Sequence, residues 1–186
     1  MDLTFVATIT LYVFLVLGAL DGVFLHLIIF KLHREARARG EHLLHTARTF
    51  LMAAGVALVF ALPTAGVALW CGLSCVLLDF GLGLWDAFVE RESRAKWGGL
   101  GRWEASLHIL LSVTHGAAVA VMLVSRPQAA WEMDQPWIME GVQLWGESML
   151  YTVVPALVGL GLVQLALMWP PQGARAGFSE GGPSDA

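Results

Sequence analysis

Long apolar runs separated by short polar clusters set the pattern of this chain. Five such runs extend from Leu3 to Lys31, Leu44 to Ala61, Gly66 to Val89, Ala105 to Val124 and Ile138 to Trp169. Each reaches about 20 residues, and at about 1.5 Å per residue a helix of that length crosses a hydrocarbon core of roughly 30 Å. The pattern predicts an all-α integral membrane bundle of five transmembrane helices over residues 1–169, with Pro63 and Thr64 as the turn between the second and third. The first run lacks a basic leader, outlasts a signal sequence and contains Asp21 and His26, so it reads as a retained helix. Residues 170–186, rich in Gly, Pro, Ser and Ala, carry too few large apolar side chains to fold and read as a disordered cytoplasmic tail.

Composition excludes a soluble domain: 57% of the residues are hydrophobic and only 14% charged. The basic residues then orient the helices. Lys31, Arg34, Arg37 and Arg39 follow the first run, and Arg91, Arg94, Lys96 and Arg102 join the third to the fourth. The positive-inside rule makes both loops cytoplasmic, which puts the N-terminus outside and the C-terminus inside. Arg126, near Glu132 and Asp134, belongs to the outer side. Trp131, Trp137 and Trp145 near one boundary and Trp97, Trp103 and Trp169 near the other read as interfacial anchors. With the cations assigned to topology and a net charge of −4, nothing points to nucleic acid, and no Ser-His-Asp triad is apparent. Cys71 and Cys75, one turn apart on a rigid helix, point in parallel and read as packing residues rather than a disulfide or a copper site.

The polar residues inside the apolar runs change the picture, because an ionisable side chain at the bilayer centre costs about 2.5 to 3.5 kcal/mol on insertion scales. The first helix carries Asp21, His26 and His33; the second opens with His42 and His45; the third carries Asp79, Asp86 and Glu90; the fourth carries Glu104, His108 and His115. Residues three, four, seven or eleven apart share a helix face, so Asp79, Asp86 and Glu90 form one stripe and Glu104, His108 and His115 another. His26 and His33 share a face, as do His42 and His45. Counting about 1.5 Å per residue from the cytoplasmic ends places His26, His45, Asp86 and His108 at roughly 6 to 10 Å depth, with Glu90 and Glu104 just above. Asp21, Asp79 and His115 fall in a second layer at about 18 to 20 Å. Unlike charges relieve each other's desolvation, so the stripes should converge on one cavity.

Simpler roles compete for some of these residues. His33 and His42 lie where headgroups would meet them, and Glu90 and Glu104 flank a basic loop in which Arg94 or Arg102 could pair with them. For Asp21, His26, His45, Asp86, His108 and His115 no lysine or arginine is placed at matching depth, and a functional role is expected. Glu140, Glu147 and Tyr151 repeat at helical spacing on the fifth run, in the opposite half, and read as an outer vestibule or a helix contact.

The segment LDGVFLH from Leu20 to His26, followed by EHLLHTA from Glu41 to Ala47, resembles an uncharacterised bacterial membrane family, a domain of unknown function with Asp-Gly-x-x-Leu-His and acid-x-x-x-His elements. Asp21, His26, Glu41 and His45 are the matching positions; the family's paired histidines after the first helix are a lone His33 here. The resemblance covers the first two helices, implies a bacterial inner membrane, and brings no activity.

Imidazole and carboxylate donors projecting into a helical bundle suit iron, manganese or zinc. The expected metal ligands are His26, His45, Asp86, Glu90, Glu104 and His108, with Asp21, Asp79 and His115 in a second layer and His33 and His42 peripheral. One or two iron ions there would make the chain a membrane oxidoreductase acting on a lipophilic substrate near the cytoplasmic face, served by an electron-donor protein. Two other classes stay open: a haem b electron carrier using His45 with His108 or His26 with His115, and a transporter of protons or divalent metal.

Overall fold

The computed structural model describes residues 2–34, 38–93, 99, 101–139 and 146–168. Arg37, Arg94, Lys96, Trp97, Glu140, Trp145, Trp169 and the tail from 170 to 186, all singled out above, lie outside the described residues. The described residues are mostly helical, with no strand among them. Helix α1 (Leu3–Gly18) runs on as a π-helical segment (Ala19–Ile29), and α2 (Arg39–Gly55) likewise ends in a π-helical turn (Val56–Ala61). Helices α3 (Gly66–Ser93), α4 (Arg102–Ser125), α5 (Gly146–Tyr151) and α6 (Val153–Leu167) follow. Among the described residues five helical stretches are long and apolar enough to cross a membrane: Leu3–Ile29, Arg39–Ala61, Gly66–Glu90, Arg102–Ser125 and Gly146–Leu167. The last joins α5 and α6 through Thr152, where Pro155 cannot donate to the carbonyl one turn earlier.

The fifth span therefore starts later than its hydropathy predicts. Ile138 is extended, pairing with Thr64 in an antiparallel bridge, and the Met139 amide donates to the Pro63 carbonyl at 2.9 Å. The apolar run misleads because this stretch is held against the α2–α3 turn instead of continuing a helix. Gly66 makes the turn possible: its φ is +53°, and a side chain would meet the Gln135 carbonyl at 2.8 Å.

Packing joins α1 to α4, α2 to α3 and α2 to α6. The second of these contacts is close enough that a Cβ on Gly72 would lie 2.7 Å from that of Leu58, as expected where lipid provides no hydrophobic drive and small residues let backbones approach. Apolar residues fill one half of the bundle: Ala7, Leu11 and Phe14 of α1 meet Val56, Val59 and Phe60 of the α2 end, Val76 of α3, and Ala118, Val119 and Met122 of α4. The other half, toward the α1–α2 and α3–α4 linkers, is where the polar residues gather.

Unpaired backbone groups at the helix ends find side-chain partners. Asp2 caps α1 by accepting the Thr4 amide at 2.9 Å, and the hydrogen bonds from Thr4 hold its carboxyl below the usual range. The half-buried Arg126 donates to the carbonyls of Val59 at 2.7 Å, Leu62 at 3.0 Å and Thr64 at 3.5 Å, closing the end of the second span. Burial pushes this guanidinium's pKa down from its ordinary value. His42, expected at the headgroups, is buried; its Nε2 stands 2.9 Å from the Gln164 carbonyl, where it meets one of the last acceptors of α6. Cys71 and Cys75 are free, and Cys71 is exposed on the outside of α3 instead of packing.

Arg126→Ala should leave those carbonyls without their charged donor and destabilise the bundle by about 2 kcal/mol, since hydrogen bonds to charged groups contribute about 1.5 to 3 kcal/mol. The thermal midpoint of the detergent-solubilised protein, read by size exclusion after heating, should fall in Arg126→Ala and recover partly in Arg126→Lys.

Candidate metal centre

Asp21 and His26 stand five residues apart, which in an α-helix of 3.6 residues per turn would set them about 140° apart. The π-helical segment closes its turns between residues five apart, so both side chains point inward and both residues are buried. The other three helices achieve the same with ordinary spacing of four: Glu41 and His45 on α2, Asp86 and Glu90 on α3, Glu104 and His108 on α4. Each of four helices thus presents a pair of ionisable groups one turn apart.

His26 stands at the centre. Its Nε2 lies 3.7 Å from Asp21 Oδ1, 3.9 Å from Glu41 Oε1, 4.0 Å from Glu90 Oε1 and 3.7 Å from Glu104 Oε1. Those four carboxylates come from four helices, and all are buried, Glu41 completely. Two more imidazoles flank the centre. The His45 ring meets the His26 ring edge-on at 4.4 Å between centroids, and its Nε2 is 3.2 Å from Asp86 Oδ2. His108 is held between Asp21, 3.2 Å from Nε2, and Glu90, 3.2 Å from Nδ1. A carboxylate behind each of these rings fixes its orientation, as outer partners do for metal-binding histidines.

A second polar group adjoins the first. Arg48 of α2 donates from Nε to Asp79 Oδ1 at 3.1 Å and from a terminal nitrogen to Asp86 Oδ2 at 3.3 Å. Its guanidinium lies across Gly83, where a Cβ would come within 3.1 Å of it; Asp79, Gly83 and Asp86 lie on one face of α3, so the helix forms a seat with an acid at either end. Beyond it, His115 Nδ1 is 3.5 Å from Asp79 Oδ2, and the imidazole is stacked between Phe14 and Phe80, each 4.5 Å away between centroids.

The convergence of stripes expected from the sequence is therefore present, with changes. Asp21 belongs with His26 and His108, not with the deeper layer, because the π-helical segment rotates it into the cluster. Asp79 and His115 do form the deeper group. Glu90 and Glu104 both face His26. His33 lies past the first span in a 3₁₀ turn (Leu32–Arg34), beside His42 with ring centroids 6.3 Å apart, and does not share the His26 face. Burial and the neighbouring Arg34 keep the His33 pKa below its ordinary value. The expectation that no arginine lies at this depth is wrong: Arg48 reaches it, and the signal was Arg48 itself within an apolar run. Glu41, absent from the expected ligand set, was marked only by the family resemblance. All four positions of that resemblance line the cluster.

Donor atoms around one ion at about 2.0 to 2.2 Å stand about 2.8 to 4.4 Å from one another. The spacings of 3.7 to 4.0 Å around His26 Nε2 fall in that range and exceed those of direct hydrogen bonds. Three sets of residues offer donor atoms within 4.8 Å of one another: Asp21, His26 and His108; His26, Glu41 and His45; and His26, Glu90 and Glu104. These groupings could hold a metal ion. No protein-family model, curated protein or solved structure matches the chain.

Removing one member of a buried ion network leaves the others uncompensated, typically at about 3 to 5 kcal/mol. Arg48→Met should therefore lower the thermal midpoint strongly, and Gly83→Val should reproduce much of the loss by filling the seat. The triple variant Arg48→Met, Asp79→Asn, Asp86→Asn should be more stable than Arg48→Met alone if the cost is uncompensated charge.

Proposed function

We propose that this chain is an integral membrane metalloprotein, an oxidoreductase that uses iron held by histidines and carboxylates near the cytoplasmic face to act on a lipophilic substrate. The observation that carries the reading is His26 Nε2 encircled by carboxylate oxygens from four helices, with His45 and His108 alongside. Four carboxylates with two or more imidazoles, projected inward from four helices, is the donor chemistry of di-iron carboxylate bundles. This chain spaces its acid–histidine pairs by four or five residues rather than three, so the likeness is one of chemistry. Basic residues in the linkers nearest the cluster favour a cytoplasmic location for that end, in the inner membrane of a bacterium if the family resemblance holds.

In this reading iron supplies the redox chemistry, with electrons delivered by a partner protein and substrate entering sideways from the bilayer. The chain's own residues do the rest. His26, His108 and the carboxylates hold the ion; Asp86 and Glu90 orient the flanking imidazoles; Arg48 keeps Asp86 in place. His108 is the more exposed of the two flanking imidazoles, with 27% of its side chain accessible against 14% for His45.

A haem draws less support. His26 and His45 are already in edge contact, and both faces of the His115 ring are covered by phenylalanine. Transport draws less too, because beyond Asp79 and His115 the described interior is the apolar core, and Glu147 is exposed.

The test is the iron content and visible spectrum of the purified full-length protein. Bound iron without a Soret band, reduced in His26→Ala and unchanged in Glu147→Gln, is the expected outcome. A Soret band would transfer the reading to a cytochrome, and absence of any bound metal would remove it.

A further inference from the structure

We infer that His115, which belongs to none of the three donor sets, is a positioning residue for the metal centre and acts on it through a chain of side chains that ends at His45. The inference rests on the metal-binding function proposed above and names a residue that tunes the same centre from a distance. His115 lies seven residues beyond His108 on α4, about 10 Å along the helix at about 1.5 Å per residue. Its Nδ1 is 3.5 Å from Asp79 Oδ2, and Asp79 Oδ1 accepts from Arg48 Nε at 3.1 Å. A terminal nitrogen of the same guanidinium donates to Asp86 Oδ2 at 3.3 Å, and that oxygen is 3.2 Å from His45 Nε2. The His45 ring then meets the His26 ring edge-on.

Every link is a planar group held at two points, so orientation at one end constrains the other. The His115 imidazole lies flat between Phe14 and Phe80, 4.5 Å from each between centroids, with interplanar angles of 15° and 28°. Phe14 belongs to the apolar core and Phe80 packs against it, which anchors this end of the chain in the close-packed half. The Asp79 carboxylate gives one oxygen to His115 and the other to Arg48, so a turn that breaks one contact breaks both. A guanidinium presents its N–H groups in a fixed fork, and the Asp79 contact at Nε therefore sets where the terminal nitrogen points. Asp86 meets Arg48 and His45 through a single oxygen and follows the arginine.

His45 carries the effect to the centre, because it shares a donor set with His26 and Glu41. The carboxylate behind a metal-binding imidazole fixes its ring, and losing such a partner typically weakens metal binding about 10- to 100-fold. Charge balance alone and positioning predict different things. The first bears on stability; the second reaches the geometry of the bound ion.

The experiment uses full-length protein in detergent, stripped with chelator and titrated with Co²⁺ alone, whose d–d absorption reports ligand geometry. His115→Phe keeps a ring between Phe14 and Phe80 and removes the nitrogen that faces Asp79. It should bind Co²⁺ with a shifted band and about threefold more weakly, a smaller loss than the roughly tenfold or more expected of Asp86→Asn directly behind His45. Asp79→Asn, one link nearer the centre, should shift the band in the same direction, and adding His115→Phe to it should change the spectrum no further, since contacts in series are not additive. Phe80→Leu, which loosens the stack and keeps His115, should shift the band likewise and decides the matter where His115→Phe does not elute as monodisperse protein. A native band and native affinity in these variants, even with a lowered thermal midpoint, would overturn the inference and leave the metal-binding reading in place, as would additive shifts in the double variant. Failure of the unaltered chain to bind Co²⁺ would overturn both.

Discussion

A carboxylate taken from water into a low-dielectric interior loses hydration worth several kcal/mol even after the protein relaxes, and no single neighbour restores it. Among the described residues six are buried: Asp21, Glu41, Asp79, Asp86, Glu90 and Glu104. Everything distinctive about the structure answers that constraint. Asp79 and Asp86 are met by Arg48, which needs the missing side chain of Gly83 to lie across α3. Asp21 and Glu90 are bridged by His108, and together with Glu41 and Glu104 they surround His26. The α1 backbone widens to a π-helix where it must turn both Asp21 and His26 inward, a distortion that recurs at functional sites.

The two halves of the bundle divide the work. One half is close-packed and apolar, closed at its end by Arg126 on the carbonyls of the second span. It packs α1, α3, α4 and the end of α2 against one another. The other half uses that packing: four helices hold donors at separations suited to cation coordination, with orienting groups behind them. His42 and Gln164 belong to this scaffold, tying α2 to the end of α6 rather than serving the centre.

Much of this was legible in the order of residues. Five spans follow from hydropathy, because lipid demands a continuous apolar surface and leaves few alternatives to a helix. Convergence of the stripes follows from the cost of facing them to lipid. What hydropathy could not see was the start of the last span, since Ile138 is as apolar in an extended bridge as in a helix.

The sequence by itself determined the number of helices long and apolar enough to cross a membrane, the identity of nearly all polar groups in the described interior, and the end of the bundle where they gather, since each depends on local composition and helical spacing. Tertiary structure decided which of them meet. Asp21 joined the cluster only because the α1 backbone departs from 3.6 residues per turn. Glu41 and Arg48 became part of the interior because α2 is pressed between α3 and α6, turning toward the centre side chains that spacing alone leaves ambiguous. Distances between helices depend on how close glycines such as Gly72 and Gly83 let them come, and the spacing of four carboxylates around one imidazole is a property of those distances, which no single helix encodes.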